Sequence, residues 1–287
     1  MRINIFTSES LKRLIHSASR MGILRALYQH SSLALIRHKA GKLLNPLFPN
    51  NPVWLTIEGG ILAGSDICAD LRHGEKSYWL GTFEMEVQSA IQRLATQSPH
   101  LKCIYDIGAH VGYFSMMLAR CFQRAHIFAF EPNPSNYERL ALNIQRNRLT
   151  CEVTPVHRAV CDQVGELPFY VGESSWSGSL HREHRESSRL QYTVSTTTLD
   201  EIVFQDHYPP PDLMKIDVEG AEVQVLRGGI GVLRKYKPTL ILEIHYARTA
   251  EEVSAILRQI DYSLDTLTEG KDIGTSLYSG HVVARHT

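Results

Sequence analysis

Residues 102–133 read KCIYDIGAHVGYFSMMLARCFQRAHIFAFEPN, and no other stretch constrains the fold as tightly. An apolar run from Cys103 leads into Asp106-Ile107-Gly108-Ala109-His110-Val111-Gly112. A helical pattern follows, then a second apolar run, Ile127 to Phe130, ending in Glu131. Strand, glycine-rich turn, helix, strand and acid in that order form a βαβ unit that can hold a nucleoside-containing cofactor. The glycines let the backbone turn tightly and come close to a neighbour, because no Cβ intervenes. A carboxylate at the end of the second strand can accept both hydrogen bonds of a ribose diol.

The turn itself discriminates between cofactors. A dinucleotide fold carries G-x-G-x-x-G, which brings a helix N-terminus against a pyrophosphate. Here the spacing is D-x-G-x-x-x-G, at Asp106, Gly108 and Gly112, and an acid stands where the anionic pyrophosphate would approach. That chemistry suits a cationic amino group, such as the methionyl end of S-adenosylmethionine, and disfavours a nicotinamide dehydrogenase.

At 287 residues the chain has room for one large domain or one domain with an appendage. Its formal net charge is zero, so bulk charge gives no sign of a nucleic-acid partner. The zero conceals an asymmetry, since residues 1–50 hold eight Lys/Arg against the single acid Glu9. Apolar positions at helical spacing in residues 8–40, with a basic opposite face, predict one or two amphipathic helices. These would pack on the main domain, or lie on an anionic membrane through residues 1–45. The five cysteines include no C-x-x-C, which fits a reduced, cytoplasmic protein, with a membrane-peripheral position as the alternative.

Residues 1–52 thus read as a basic helical extension and 53–287 as the catalytic domain, with an entry hairpin and helix over 53–100 and the core sheet over 101–287. Val53 to about Asp70 alternates around Gly59-Gly60 as a hairpin. Further strands are expected at Val153–Val160, Leu213–Ile216, Leu240–His245, Tyr262–Thr266 and His281–Ala284. Helices are expected between them, one running from the Glu219 region to Tyr236. Strands alternating with helices give an α/β fold with a doubly wound, mostly parallel sheet. A polar stretch, Ser174 to Arg189, offers Trp176, His181, Arg182, His184 and Arg185 as acceptor-side groups or as a solvated loop.

YDIGAHVGYFS, AFEPNPSNYERLALNIQRN, RAVCDQVGEL, TTLDEI, LMKIDVEGAEVQVLRGG and PTLILEIH, in this order, resemble the FkbM family of S-adenosylmethionine-dependent methyltransferases. The resemblance runs from about Tyr78 to the C-terminus. It implies a Rossmann-like class I methyltransferase fold with a seven-stranded sheet, and methyl transfer to a hydroxyl of a small molecule, natural product or saccharide. Carried over residue by residue, Asp106, Gly108, Ala109 and Gly112 would line the methionyl end of the cofactor. Glu131 would bind the ribose with Asn133 nearby, and Asp162 would sit near the adenine. Asp217, Glu243 and His245 end two central strands, and with Glu219 they are candidates for the transferring end. His245 is either a general base, for which an ordinary imidazole pKa is suitable, or a strand-end histidine bonded to a neighbouring acid. Glu222 reads as an exposed or capping acid. Asp217, Glu219, Glu243 and His245 could also hold a divalent metal, although their spacing does not require one and none is assigned. N-methylation, or a membrane-associated cofactor-binding scaffold without catalysis, are the competing readings.

Overall fold

The computed structural model describes residues 51–72, 74–171, 178–179, 190–267 and 280–287. The expected N-terminal helices and nearly all of the Ser174–Arg189 stretch lie outside them. The chain divides into two compact units, residues 1–83 and 84–287. In the first, β1 (Val53–Thr56) and β2 (Asp66–Ala69) pair antiparallel as the alternating pattern predicts, followed by α1 (Lys76–Leu80).

The second unit opens with α2 (Met85–Gln97), after Glu84. Then come β3 (Cys103–Ile107), α3 (Tyr113–Cys121), β4 (His126–Phe130), α4 (Pro134–Arg146) and β5 (Val153–Val156). A smaller group follows: β6 (Ala159–Val160), β7 (Gly165–Val171), β8 (Gly178–Ser179) and β9 (Leu190–Thr197). The chain returns through α5 (Leu199–Phe204), β10 (Leu213–Ile216), α6 (Glu222–Arg227), α7 (Ile230–Tyr236) and β11 (Thr239–Ile244). It ends with α8 (Ala247–Arg258), β12 (Tyr262–Thr266) and β13 (Gly280–His286).

The main sheet has seven strands in the order β12-β13-β11-β10-β3-β4-β5. All neighbours are parallel except β13, which runs antiparallel to both β11 and β12. β3 and β10 are buried throughout, as a parallel sheet covered on both faces requires. Helix α3 is apolar nearly all round and correspondingly buried. Winding proceeds outward from β3 through β4 to β5, then resumes on the other side at β10 and β11. The sheet therefore has its topological switch between β3 and β10, and a crevice opens there beyond the carboxyl ends of the strands.

Two sequence expectations give way. The run Val153–Val160 is not one strand. The chain turns after Val156, with the Arg158 N–H donating to the Val156 carbonyl, and Ala159–Val160 joins a separate four-stranded sheet, β6-β9-β7-β8. The helix expected to continue to Tyr236 breaks at Gly228-Gly229. There a Cβ on Gly228 would stand 2.1 Å from the Cys161 carbonyl oxygen, so the backbones touch. Asp200 fastens the restart, its carboxylate accepting from the N–H groups of Gly231 (3.1 Å) and Val232 (2.8 Å) at the head of α7.

Candidate functional site

The turn after β3 is shaped by close backbone approach. Gly108 has φ +82, and a Cβ there would lie 1.7 Å from the carbonyl oxygen of Asp217, at the end of β10. Its glycine is thus required by the neighbouring strand end, at the switch point itself. Gly112, φ +86, caps α3 and packs on Leu140 of α4. The N–H groups of Gly108 and Ala109 donate to the Phe130 carbonyl at 3.0 and 2.9 Å, which ties the turn to the end of β4.

Glu131, just beyond β4, is buried and accepts from two backbone donors, His110 N–H at 2.8 Å and Asn133 N–H at 2.9 Å. Burial pushes its carboxyl up to about 8, against those bonds and one from Asn136. Asn133 uses its side chain to cap α4, accepting from the Ser135 N–H at 3.0 Å, with Pro134 opening the helix. Asp106 is fully buried. Its Oδ2 accepts from the Ser115 hydroxyl at 2.5 Å, and its Oδ1 has no hydrogen-bond partner. Burial raises its pKa, the nearby Lys215 charge and the Ser115 bond acting the other way. Asp162 lies in the bend just after β6 and is exposed.

Beyond β10 and β11 the predicted Asp217, Glu219, Glu243 and His245 do come together. The Nε2 of His245 lies 3.6 Å from Asp217 Oδ1, 3.5 Å from Glu219 Oε2 and 3.7 Å from Glu243 Oε1. Its Nδ1 makes a short 2.7 Å bond to Glu222 Oε1, which also accepts from the Gly220 N–H. Glu222 is therefore no exposed helix-end acid: it is fully buried, because the start of α6 tucks beneath His245. Burial alone would lower the His245 pKa, but the Glu222 bond and the charges of Asp217, Glu219 and Glu243 lift it to about 10. Of the two readings of His245, the strand-end histidine bonded to a neighbouring acid is the one seen, and its surroundings favour the protonated ring.

Lys215 was not singled out by sequence, although a lone lysine within the buried strand LMKI is a signal in itself. It lies opposite Asp106 in register, bonds Asp217 Oδ2 at 3.0 Å and sits 4.8 Å from the centre of the Phe114 ring. Burial would raise the Asp217 carboxyl, but Lys215 and then His245 overcome it and bring it down to about 2. Glu219, more open than its neighbours, is pushed up to about 8 by burial, with His245 opposing and the surrounding acids adding.

A second imidazole adjoins the first. His281 on β13 lies opposite Glu243 in register. Its Nε2 stands 3.4 Å from Glu243 Oε2 and 3.3 Å from Glu84 Oε2, and its Nδ1 is 3.3 Å from Glu86 Oε1. Burial opposes its protonation, yet contacts with Glu243 and Glu84 raise it to about 10. Glu84 and His281 are 197 positions apart, and no local pattern links them.

The strand order 3-2-1-4-5-7-6 counted along the main sheet, with the crevice at its switch point, defines a class I methyltransferase fold. The family description "Methyltransferase FkbM domain" matches residues 106–264. The chain belongs to the FkbM methyltransferase family. It is 28% identical over 185 residues to the hexuronic acid methyltransferase AglP of Haloferax volcanii, covering 64% of this chain and 73% of that protein. It is 30% identical over 149 residues to the 2-O-methyltransferase NoeI of Sinorhizobium fredii, covering 46% of this chain and 59% of that one. Among solved structures, a methyltransferase FkbM from Methylobacillus flagellatus aligns with 87% of this chain and 59% of its own, at 15% identity and a TM-score of 0.44.

The chain is accordingly a methyltransferase, and the methyl donor of its family is S-adenosylmethionine. The donor set fits that cofactor. Glu131 keeps acceptor capacity for a hydroxyl beyond its two backbone donors and Asn136, and the buried Asp106 Oδ1 is unsatisfied. The excess of carboxylates around the switch suits a cationic ligand. Among the described residues no helix is long and apolar enough to cross a membrane.

Proposed function

We propose that the protein transfers a methyl group from S-adenosylmethionine to a hydroxyl of a saccharide or another small hydroxylated molecule. The observation that carries this reading is the meeting, at one switch point, of Glu131 beyond β4 with the acid–imidazole cluster beyond β10 and β11. Relatives named for acting on a hexuronic acid and at a 2-O position support a saccharide hydroxyl as acceptor.

In this reading Glu131 accepts the ribose hydroxyls, and the turn at Asp106, Gly108, Ala109 and Gly112 receives the methionyl end. Asn133 holds Glu131 in place through its N–H, and Asp162 serves the adenine side. When bound, the cofactor supplies an electrophilic methyl whose leaving group, a thioether, keeps the electron pair of the broken S–C bond. The chain's own task is then positioning and proton removal. Asp217 and Glu243 orient the acceptor hydroxyl. His245 is fixed at Nδ1 by Glu222, with the carboxylates facing its Nε2. Glu219, the most open of these acids, takes the hydroxyl proton as the new O–C bond forms.

Calorimetric titration with S-adenosylhomocysteine, with NAD as control, tests the cofactor half. Micromolar binding of the former alone is expected. Methyl transfer to a panel of oligosaccharides tests the other half. Glu219→Gln should keep cofactor affinity within about threefold and lose on the order of 10²-fold in kcat. Unchanged kcat in that variant removes Glu219 from the reaction.

A further inference from the structure

The carboxylates and imidazoles beyond β11 are spaced in two different ways. His245 Nδ1 meets Glu222 at 2.7 Å, the length of a charge-assisted hydrogen bond. The Nε2 atoms of His245 and His281 instead stand 3.3–3.7 Å from the acids they face, too long for such a bond. Two donors on one divalent cation, each at roughly 2.0–2.2 Å, are about 2.9–3.6 Å apart at tetrahedral or octahedral angles. Three of the four Nε2-to-carboxylate distances fall at that separation, and the fourth, His245 to Glu243 at 3.7 Å, lies just beyond it.

The donors form two sets, Asp217, Glu243 and His245, and Glu84, Glu243 and His281, with the donor atoms of each within 4.8 Å of one another. Glu243 belongs to both. Its Oε1 faces His245 and its Oε2 faces His281, so it has one oxygen for each set. Behind each ring, a carboxylate outside the set faces Nδ1: Glu222 for His245 and Glu86 for His281. The 2.7 Å bond to Glu222 fixes the far nitrogen of His245 and leaves its Nε2 toward the cluster, the outer support typical of metal-ligating histidines, and Glu86 stands in the same place behind His281 at 3.3 Å. The Glu84 Oε2 atom is closed off from solvent and faces His281 Nε2 at 3.3 Å.

We propose that this cluster is a divalent-cation centre with two adjoining positions bridged by Glu243, one completed by Asp217 and His245 and the other by Glu84 and His281. Mixed carboxylate and imidazole donors suit Mn²⁺, Fe²⁺ or Zn²⁺ better than Ca²⁺ or Mg²⁺. The centre rests on side-chain geometry. A role for it in lowering the pKa of the acceptor hydroxyl rests also on the methyl-transfer reading above.

The test is titration of the tag-free, chelator-treated full chain with Mn²⁺, followed by electron paramagnetic resonance and calorimetry. Two saturable equivalents are expected. His245→Gln and His281→Gln should each remove one, and Glu243→Gln should weaken both by at least tenfold. Glu86→Gln, at an exposed position, should weaken one equivalent by about tenfold with an unchanged urea melt. The proposal is overturned by no saturable binding, by binding that survives Glu243→Gln, or by a single equivalent indifferent to His281→Gln and Glu86→Gln. S-adenosylhomocysteine is titrated in parallel. Its binding without Mn²⁺ binding refutes the cation centre alone, whereas failure of both refutes the cofactor reading as well.

Discussion

Glu131 offers a quantitative link between burial and cofactor affinity. Its carboxyl is pushed up to about 8 in the cofactor-free protein. The groups that face it are the His110 and Asn133 N–H donors, the Asn136 side chain and the negative charge of Asp217. Ribose hydroxyls donate best to the ionised form, so a proton on Glu131 competes with the cofactor. If only the carboxylate binds, the apparent dissociation constant rises by a factor of 1 + 10^(pKa − pH). With a pKa near 8, that is roughly 11-fold at pH 7 and about 100-fold at pH 6, relative to the plateau above pH 9. Glu131→Gln should lose about 1–3 kcal/mol of binding at high pH and abolish the slope. Folding gives the complementary sign. The folded-state pKa lies above the ordinary 4.5, so this group's contribution is fully present below about 4.5. It is lost as pH rises through about 8, by at most about 5 kcal/mol. Calorimetric titration with S-adenosylhomocysteine from pH 6 to 9, paired with urea melts of the cofactor-free protein, measures both. A flat affinity profile in the wild type, or the same slope in Glu131→Gln, would refute the placement of Glu131 against the ribose.

Two other perturbations test the architecture beneath the site. Gly108→Ala sets a Cβ against the Asp217 carbonyl, which cannot yield without moving a central strand end, and should cost more than about 3 kcal/mol. Gly112→Ala meets the tip of the Leu140 side chain at a comparable φ and should cost about 1–2 kcal/mol; urea melts giving the reverse order would contradict this account. Lys215→Met removes the buried cation between Asp106 and Asp217 and should destabilise by about 3–5 kcal/mol in chelator-containing buffer, a loss below about 1 kcal/mol arguing against that pairing.

The parts of this molecule that sequence disclosed are those governed by local rules. The β3–α3–β4 unit is visible because apolar runs, glycine spacing and a terminal acid all fall within about thirty residues. β10 and β11 are visible as short apolar runs bounded by acids. The gathering of Asp217, Glu219, Glu243 and His245 follows from the switch-point rule once those strands are placed. What stayed hidden depends on depth or on distance along the chain. Glu222 has the address of a helix-end acid, and only the packing of α6 under His245 reveals it as a buried partner. Gly108 reads equally well as a ligand-approach glycine and as one required by a neighbouring strand. The division of Val153–Val160 between two sheets depends on where β9 arrives, nearly forty residues later. Glu84 and His281 meet only because β13 inserts beside β11.

That insertion dictates an order of assembly. β13 pairs with β11 on one side and β12 on the other, so β12 joins the sheet only through it. A folding chain can complete β3, β4, β5, β10 and β11, and with them the Glu131 crevice, while Glu243 still lacks the second imidazole. Glu84 must also reach His281 across 197 positions, a closure slower than forming the local βαβ unit. A chain folded only as far as β11 would thus carry Glu131 beside β3 and β10 without a complete acceptor side. Ligand binding and turnover should recover with separate time courses when the protein is refolded from urea.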